Sequence, residues 1–114
     1  NVNLDMISHN DSVLYVAGAY HTESLRPVLD EVAAGSAITL LQGHDSPDLP
    51  PGDDWTTSSD HGPFHAAGIP FVYFGVEDHP DYHQASDTFE TINQQFFLDA
   101  VETVKQAILR FDGQ

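Results

Sequence analysis

The chain has 114 residues, a length typical of one domain, and 40% of them are hydrophobic, which is enough for a modest core. Three basic residues against 18 acidic ones give a formal net charge of −15, which disfavours nucleic acid and anionic membrane surfaces as partners. The chain has no cysteine, so disulfides and thiolate metal sites are excluded. A transition-metal site has to use histidine and carboxylate ligands.

The first half of the chain predicts three strands, a helix and a loop. Apolar residues predict strands over residues 2–7 and 13–18. From residue 24 to 35 the apolar residues recur on one helical face, which predicts a short amphipathic helix. Residues 37–41 predict a further strand. The proline- and aspartate-rich residues 43–55 then predict a loop without a core of its own.

The second half predicts two helices around a buried strand. Residues 59–68 indicate a short helix with Ser59 or Asp60 as its N-cap. Residues 70–75 are almost continuously apolar, which is typical of a strand buried on both faces. A final helix over about residues 94–111 is predicted from apolar residues at helical spacing, which are Phe97, Ala100, Val101, Val104, Ala107, Ile108 and Phe111. Strands that alternate with helices indicate an α/β fold with one mixed sheet.

Three polar residues stand where α/β folds commonly place functional groups. Asp5 is an acidic residue inside an apolar strand, Asp60 opens a helix after a long loop, and His83 follows the most apolar strand. Each also has a structural explanation, because Asp5 can cap a turn, Asp60 can cap a helix, and His83 can be a solvated histidine. Taken singly, the residues favour these structural explanations, so any functional inference depends on their joint pattern.

Four motifs follow one another along the chain. They are Asn3-Leu4-Asp5-Met6-Ile7, Ser59-Asp60-His61-Gly62-Pro63-Phe64, Gly68-Ile69-Pro70, and His83 with Asp87-Thr88. In this order and rough spacing they resemble the C-terminal half of the co-catalytic zinc aminopeptidases, a family that includes secreted bacterial leucyl aminopeptidases, glutamate carboxypeptidases and glutaminyl cyclases. The resemblance covers nearly all of the chain. It implies a zinc-exopeptidase fold, in which helices sandwich a mixed sheet.

The resemblance also implies roles for four residues. Asp5 and His83 would each bind one of the two zinc ions of the complete enzyme. Asp87 is a candidate hydrogen-bond partner of the ligand imidazole, and Asp60 would support the chemistry near the substrate, although an N-cap role is favoured for it. The residue types agree with this, because hydrolytic zinc takes carboxylate oxygen and imidazole nitrogen and needs no sulfur.

Two further motifs of that family do not occur in this chain. One is a His-x-Asp whose aspartate bridges the two zinc ions, and the other is a Glu-Glu pair that supplies the general base and a ligand. We therefore expect residues 1–114 to be the C-terminal half of a zinc peptidase domain, with no catalytic base and feeble activity alone. The half-domain should associate with its N-terminal half or with itself. The resemblance implies a peptide substrate and favours a secreted or periplasmic location.

Two alternatives to an aminopeptidase remain open. Glutaminyl cyclases commonly have an aromatic residue directly before the ligand histidine, and Tyr82 has that position before His83. Non-catalytic relatives use the fold for binding, although the presence of both Asp5 and His83 argues against this. Residues 55–58 (Trp-Thr-Thr-Ser) stand where leucyl aminopeptidases can have a tyrosine that helps to hold the oxyanion, so substrate preference stays open.

Overall fold

The computed structural model describes residues 1–5, 7, 13–50, 52–77 and 93–113. The strands in these ranges are β1 (Val2–Leu4), β2 (Val13–Ala17), β3 (Thr39–Gln42) and β4 (Val72–Gly75). The helices are α1 (Arg26–Gly35), preceded by a 3₁₀ turn at Glu23–Leu25, α2 (Gly62–Ala66) and α3 (Gln94–Asp112). No helix in the described ranges is both long enough and apolar enough to cross a membrane.

The four strands form one mixed sheet, which confirms the prediction, and their order in it is β1-β4-β2-β3. β1 is parallel to β4 and β2 is parallel to β3, whereas β2 and β4 are antiparallel. β1 ends at Leu4, which pairs with Phe74, and β4 ends one residue later at Gly75. Since β1 and β4 are parallel, the residues that follow them leave the sheet at the same end.

Helices α1 and α3 pack together on one face of the sheet. Their shared core is formed mainly by Leu14, Val16, Leu29, Val32, Leu40, Val72, Phe74, Phe96, Ala100, Val104 and Ala107. Alternation along the strands sends Ala17 and Tyr73 to the opposite face, where they pack with Phe71 and Trp55. Trp55, which lies between β3 and α2 in the chain, therefore contributes to the cover of the second face.

The buried face of α3 agrees only in part with the apolar positions named from the sequence, because Ala100, Val104 and Ala107 are buried and others are not. Phe97, Val101 and Ile108 are 38–44% exposed, whereas the helix buries Phe96, Ala100, Thr103, Val104 and Ala107. Apolar residues lie on more than one side of this helix, so the spacing alone allows more than one orientation. The small, fully buried side chains of Ala100 and Ala107 lie on the face that packs into the core, where a small residue lets two elements approach closely.

Gly18 should be the glycine least tolerant of substitution in the described chain. Its φ is +133°, and a Cβ there would lie 2.1 Å from the Phe71 carbonyl oxygen. We expect Gly18→Ala to lower the free energy of unfolding by at least about 3 kcal/mol, because backbone strain and overlap add together. Urea unfolding measures this. Gly52→Ala is the matched control, since its φ of +89° is also positive but its Cβ would enter open space, and its cost should be about 1 kcal/mol. Equal losses of stability in the two variants would contradict the claim that the close contact with the Phe71 carbonyl makes Gly18 necessary.

Candidate metal and catalytic site

The sheet end shared by β1 and β4 brings together two of the motifs identified in the sequence. Asn3 and Asp5 are two residues apart, so their side chains leave the same side of the strand. The Asp5 backbone N–H donates to the Phe74 carbonyl at 3.2 Å, which holds this end of the chain on β4. On that side both side chains contact Ser59, which is 56 and 54 residues away in sequence.

A chain of side-chain hydrogen bonds joins these residues. The Asn3 amide group donates to Ser59 Oγ at 3.2 Å and lies 3.3 Å from His61 Nδ1. Ser59 Oγ in turn donates to Asp5 Oδ2 at 2.9 Å. Because the Ser59 oxygen accepts from Asn3, its own proton is free to point at the carboxylate. The Asp5 carboxylate is thus held by a serine that is itself oriented.

His61 anchors this network from the protein interior. Its side chain is fully buried, and its Nε2 lies 2.6 Å from the Trp55 carbonyl oxygen, which can only accept. These partners assign the proton to Nε2 and leave the Nδ1 lone pair to accept from Asn3. The ring stacks on Tyr73 with centroids 4.5 Å apart. Burial lowers the pKa of His61 below its ordinary value, so the neutral form is favoured.

The depressed pKa of His61 predicts a loss of stability in acid. Between its folded-state pKa and the ordinary value of 6.5, the unfolded chain binds a proton that the folded chain does not. Stability therefore rises with pH through this window and falls as the pH drops below about 6.5. Urea midpoints measured at several pH values should show this slope in the wild-type chain and a shallower slope in His61→Gln. An unchanged slope in the variant would show that another group is responsible.

The predicted cap of the short helix is wrong. The N-cap of α2 is His61, with no side-chain capping bond, and Asp60 is exposed. The reason is that residues 59–62 form a turn, in which the Gly62 N–H donates to the Ser59 carbonyl, while the Ser59 hydroxyl is used by Asp5. The helix consequently starts at Gly62. Gly68 follows it with a φ of +78°, as expected of a terminator.

The predicted metal ligands are only partly within the described structure. Asp5 is exposed, and its Oδ2 is held by Ser59, so the carboxylate is oriented and reachable. His83, Asp87 and Tyr82 lie outside the described residues, and their roles stay predictions. Within the ranges that the structure describes, no three His, Asp or Glu side chains gather closely enough to hold a metal ion. Asp5 suits zinc by its chemistry, but these ranges do not supply a complete zinc site.

In the sequence motifs Asn3 and His61 have no role of their own, and Ser59 has only that of a candidate N-cap. The sequence does indicate that Asn3 lies near Asp5, because two residues that are two positions apart in a strand have their side chains on the same face. Nothing local in the sequence indicates that Ser59 or His61 would meet that face, since the contacts span 54 to 58 residues. The Trp55 carbonyl, as a backbone group, carries no sequence signal.

Two of three comparisons with known proteins give a match. The model of peptidase family M28 matches residues 1–108. Among solved structures, the chain is similar to a zinc aminopeptidase from Bacillus subtilis, with 30% sequence identity and a TM-score of 0.65. The match covers 96% of this chain and 27% of that one, so the chain spans about a quarter of the length of the Bacillus enzyme. No curated protein matches the chain.

Proposed function

The chain belongs to peptidase family M28, and on this basis we propose that it forms the C-terminal half of a zinc-dependent aminopeptidase domain. The complete domain would remove N-terminal residues from peptides. The observation that carries the proposal is the hydrogen-bond chain from His61 through Asn3 and Ser59 to Asp5, which orients an exposed carboxylate at a strand end. The similarity to a Bacillus zinc aminopeptidase over 96% of this chain supports it.

In this proposal the complete enzyme holds two zinc ions, and Asp5 and His83 each bind one of them. Asp87 would accept a hydrogen bond from the second ring nitrogen of His83 and so fix its orientation. Bound zinc would polarise the scissile carbonyl and lower the pKa of the attacking water. The remaining ligands and the glutamate that acts as general base would come from the N-terminal half of the domain.

Ser59 is the residue that we propose positions Asp5. Its hydroxyl occupies one lone pair of Oδ2 and leaves Oδ1 available to a metal ion. Asn3 fixes the direction of that hydroxyl, and the buried His61 is in contact with Asn3. A carboxylate held in this way pays less conformational entropy when it binds a metal ion. Asp60, which is exposed directly beside Ser59, is left available to support the reaction near the substrate.

Ser59→Ala tests this positioning role in the chain assembled with the N-terminal half of its peptidase domain. We expect zinc affinity to fall about 10- to 100-fold, because the ligand carboxylate loses its hydrogen bond, and excess zinc to restore part of the activity. Zinc titration monitored by hydrolysis of an aminoacyl amide measures both effects. Ser58→Ala is the matched control, because the Ser58 hydroxyl donates to the Trp55 carbonyl instead. Equal effects of the two substitutions would contradict the role of Ser59.

A further inference from the structure

A second group of polar side chains is formed by residues that take no part in the side-chain hydrogen bonds around Asp5. His44 follows β3, Glu77 follows β4, and both line a cavity of about 290 Å³ together with Gly52, Asp53 and Trp55. We call this the His44–Glu77 cavity. Glu77 leaves the sheet at the same end as Asp5, because β1 and β4 are parallel.

The His44 ring is held in one orientation by three contacts. Its Nδ1 lies 2.7 Å from the Asp53 carbonyl oxygen, which can only accept, so Nδ1 carries a proton. The ring stacks on Trp55 with centroids 3.7 Å apart and an interplanar angle of 3°. The Tyr15 ring packs edge-on against it at 4.7 Å. The remaining nitrogen, Nε2, therefore has a fixed direction.

That nitrogen faces a carboxylate. His44 Nε2 and Glu77 Oε1 are 3.3 Å apart, and the His44 side chain is only 13% exposed. With the proton on Nδ1, a neutral ring presents a lone pair to the lone pairs of Glu77, which is repulsive. Either a second proton on the ring or a cation between the two atoms removes that repulsion.

The distance favours the second solution. A hydrogen bond from an imidazolium to a carboxylate is about 2.7–2.9 Å long, which is shorter than the observed 3.3 Å. Two ligand atoms bonded to one tetrahedral zinc at about 2.1 Å lie about 3.4 Å apart. The donation of the other ring N–H to a backbone carbonyl is also the usual arrangement of a histidine that binds a metal ion. The Nε2–Oε1 separation thus matches a bridging cation.

We propose that His44 Nε2 and Glu77 Oε1 bind a divalent transition-metal ion, Zn²⁺ or Ni²⁺, at a site separate from that of Asp5. Imidazole and carboxylate are ligands that both ions accept, and the cavity has room for the water molecules that complete the coordination. The Tyr15 hydroxyl hydrogen-bonds to Glu77 and helps to hold the carboxylate. Two protein ligands give weaker binding than the three of a hydrolytic zinc site. The bound ion would join the loop after β3 to the end of β4.

Trp55 makes this site directly observable, because it is the only tryptophan in the chain and stacks on His44. Titration of the chain with Ni²⁺ should quench Trp55 fluorescence along a saturable curve, and Zn²⁺ should compete. Glu77→Gln retains the stacked ring and should weaken the binding at least about tenfold. His44→Asn, which tolerates the positive φ of 57° at this position, should also weaken it. Thermal unfolding without metal verifies that each variant folds.

Two control variants separate this site from others. His65→Gln should bind Ni²⁺ as the wild type does, because His65 packs against His21 and Phe71 instead. Asp5→Ala should also quench normally, so failure of the proposed peptidase site would leave this result unchanged. Quenching that is not saturable, or that is equally strong in Glu77→Gln, would overturn the proposal and leave an ordinary His44–Glu77 ion pair.

Discussion

Asp5→Ala in the chain assembled with the N-terminal half of its peptidase domain should lower hydrolysis of an aminoacyl amide at least about 100-fold. The proposed role of Asp5 is to bind zinc directly, and its loss removes a ligand and leaves the Ser59 hydroxyl without its acceptor. Loss of a partner that only orients a ligand already costs about 10- to 100-fold, so loss of the ligand itself should cost more. The measurement is the rate at saturating zinc, together with the zinc content of the purified variant.

The controls for Asp5→Ala separate the loss of a metal ligand from the loss of one negative charge. Asp48→Asn removes an exposed carboxylate in the loop after β3 and should retain the wild-type rate. His83→Ala should reduce the rate as strongly as Asp5→Ala does, because His83 is the proposed ligand of the second zinc. An Asp5→Ala variant that keeps both its zinc and its rate would refute the assignment of Asp5.

The second large effect concerns the 114-residue chain on its own. We expect it to bind zinc weakly at the Asp5 site and to show at most feeble hydrolysis, since each zinc would keep one ligand where a hydrolytic zinc generally needs three. Without the proposed general base from the other half, the rate should fall by a further factor of about 10² to 10⁴. Adding the N-terminal half of the domain should restore both tight zinc binding and hydrolysis.

The sheet edge supports the expectation of a partner. β1 is an outer strand of the described four-stranded sheet, and its Val2 and Leu4 side chains are 38% and 42% exposed. A strand edge with apolar side chains readily pairs with another strand. The partner that we propose is the N-terminal half of the domain, and self-association is the outcome expected when that half is not supplied. Size-exclusion chromatography of the chain with and without that half distinguishes the two.

The sheet was predictable because its signals are local. The apolar run before Gly75 predicts a buried strand, and β4 has all four residues buried. The orientation of α3 was predictable only in part, because the named Ala100, Val104 and Ala107 are buried. Phe97 and Leu98 are apolar neighbours of the buried Phe96 in sequence, and only packing against α1 and the sheet selects among them. A helical pattern of apolar residues thus predicts that a helix forms. When the helix is apolar on several sides, the pattern does not determine which side is buried.

The candidate site was predictable only in part, for a related reason. The motif around Asp5 identifies a carboxylate in an apolar strand, and the structure places it at a strand end with an oriented hydroxyl beside it. The bonds from Asn3 to Ser59 and His61 depend on how the described residues between β3 and β4 lie across the sheet. That path is set by long-range contacts, such as the stacking of His61 on Tyr73, and no short stretch of sequence encodes it.

The central claim is that this chain supplies only part of a zinc aminopeptidase site. The most direct test is to titrate zinc into the 114-residue chain, with and without the N-terminal half of the domain, and to follow hydrolysis of an aminoacyl amide. The account predicts zinc-dependent turnover only when both halves are present, and its loss in Asp5→Ala or His83→Ala. Rapid zinc-dependent turnover by the 114-residue chain alone would contradict the account, because it would mean that this chain contains a complete set of ligands and a general base.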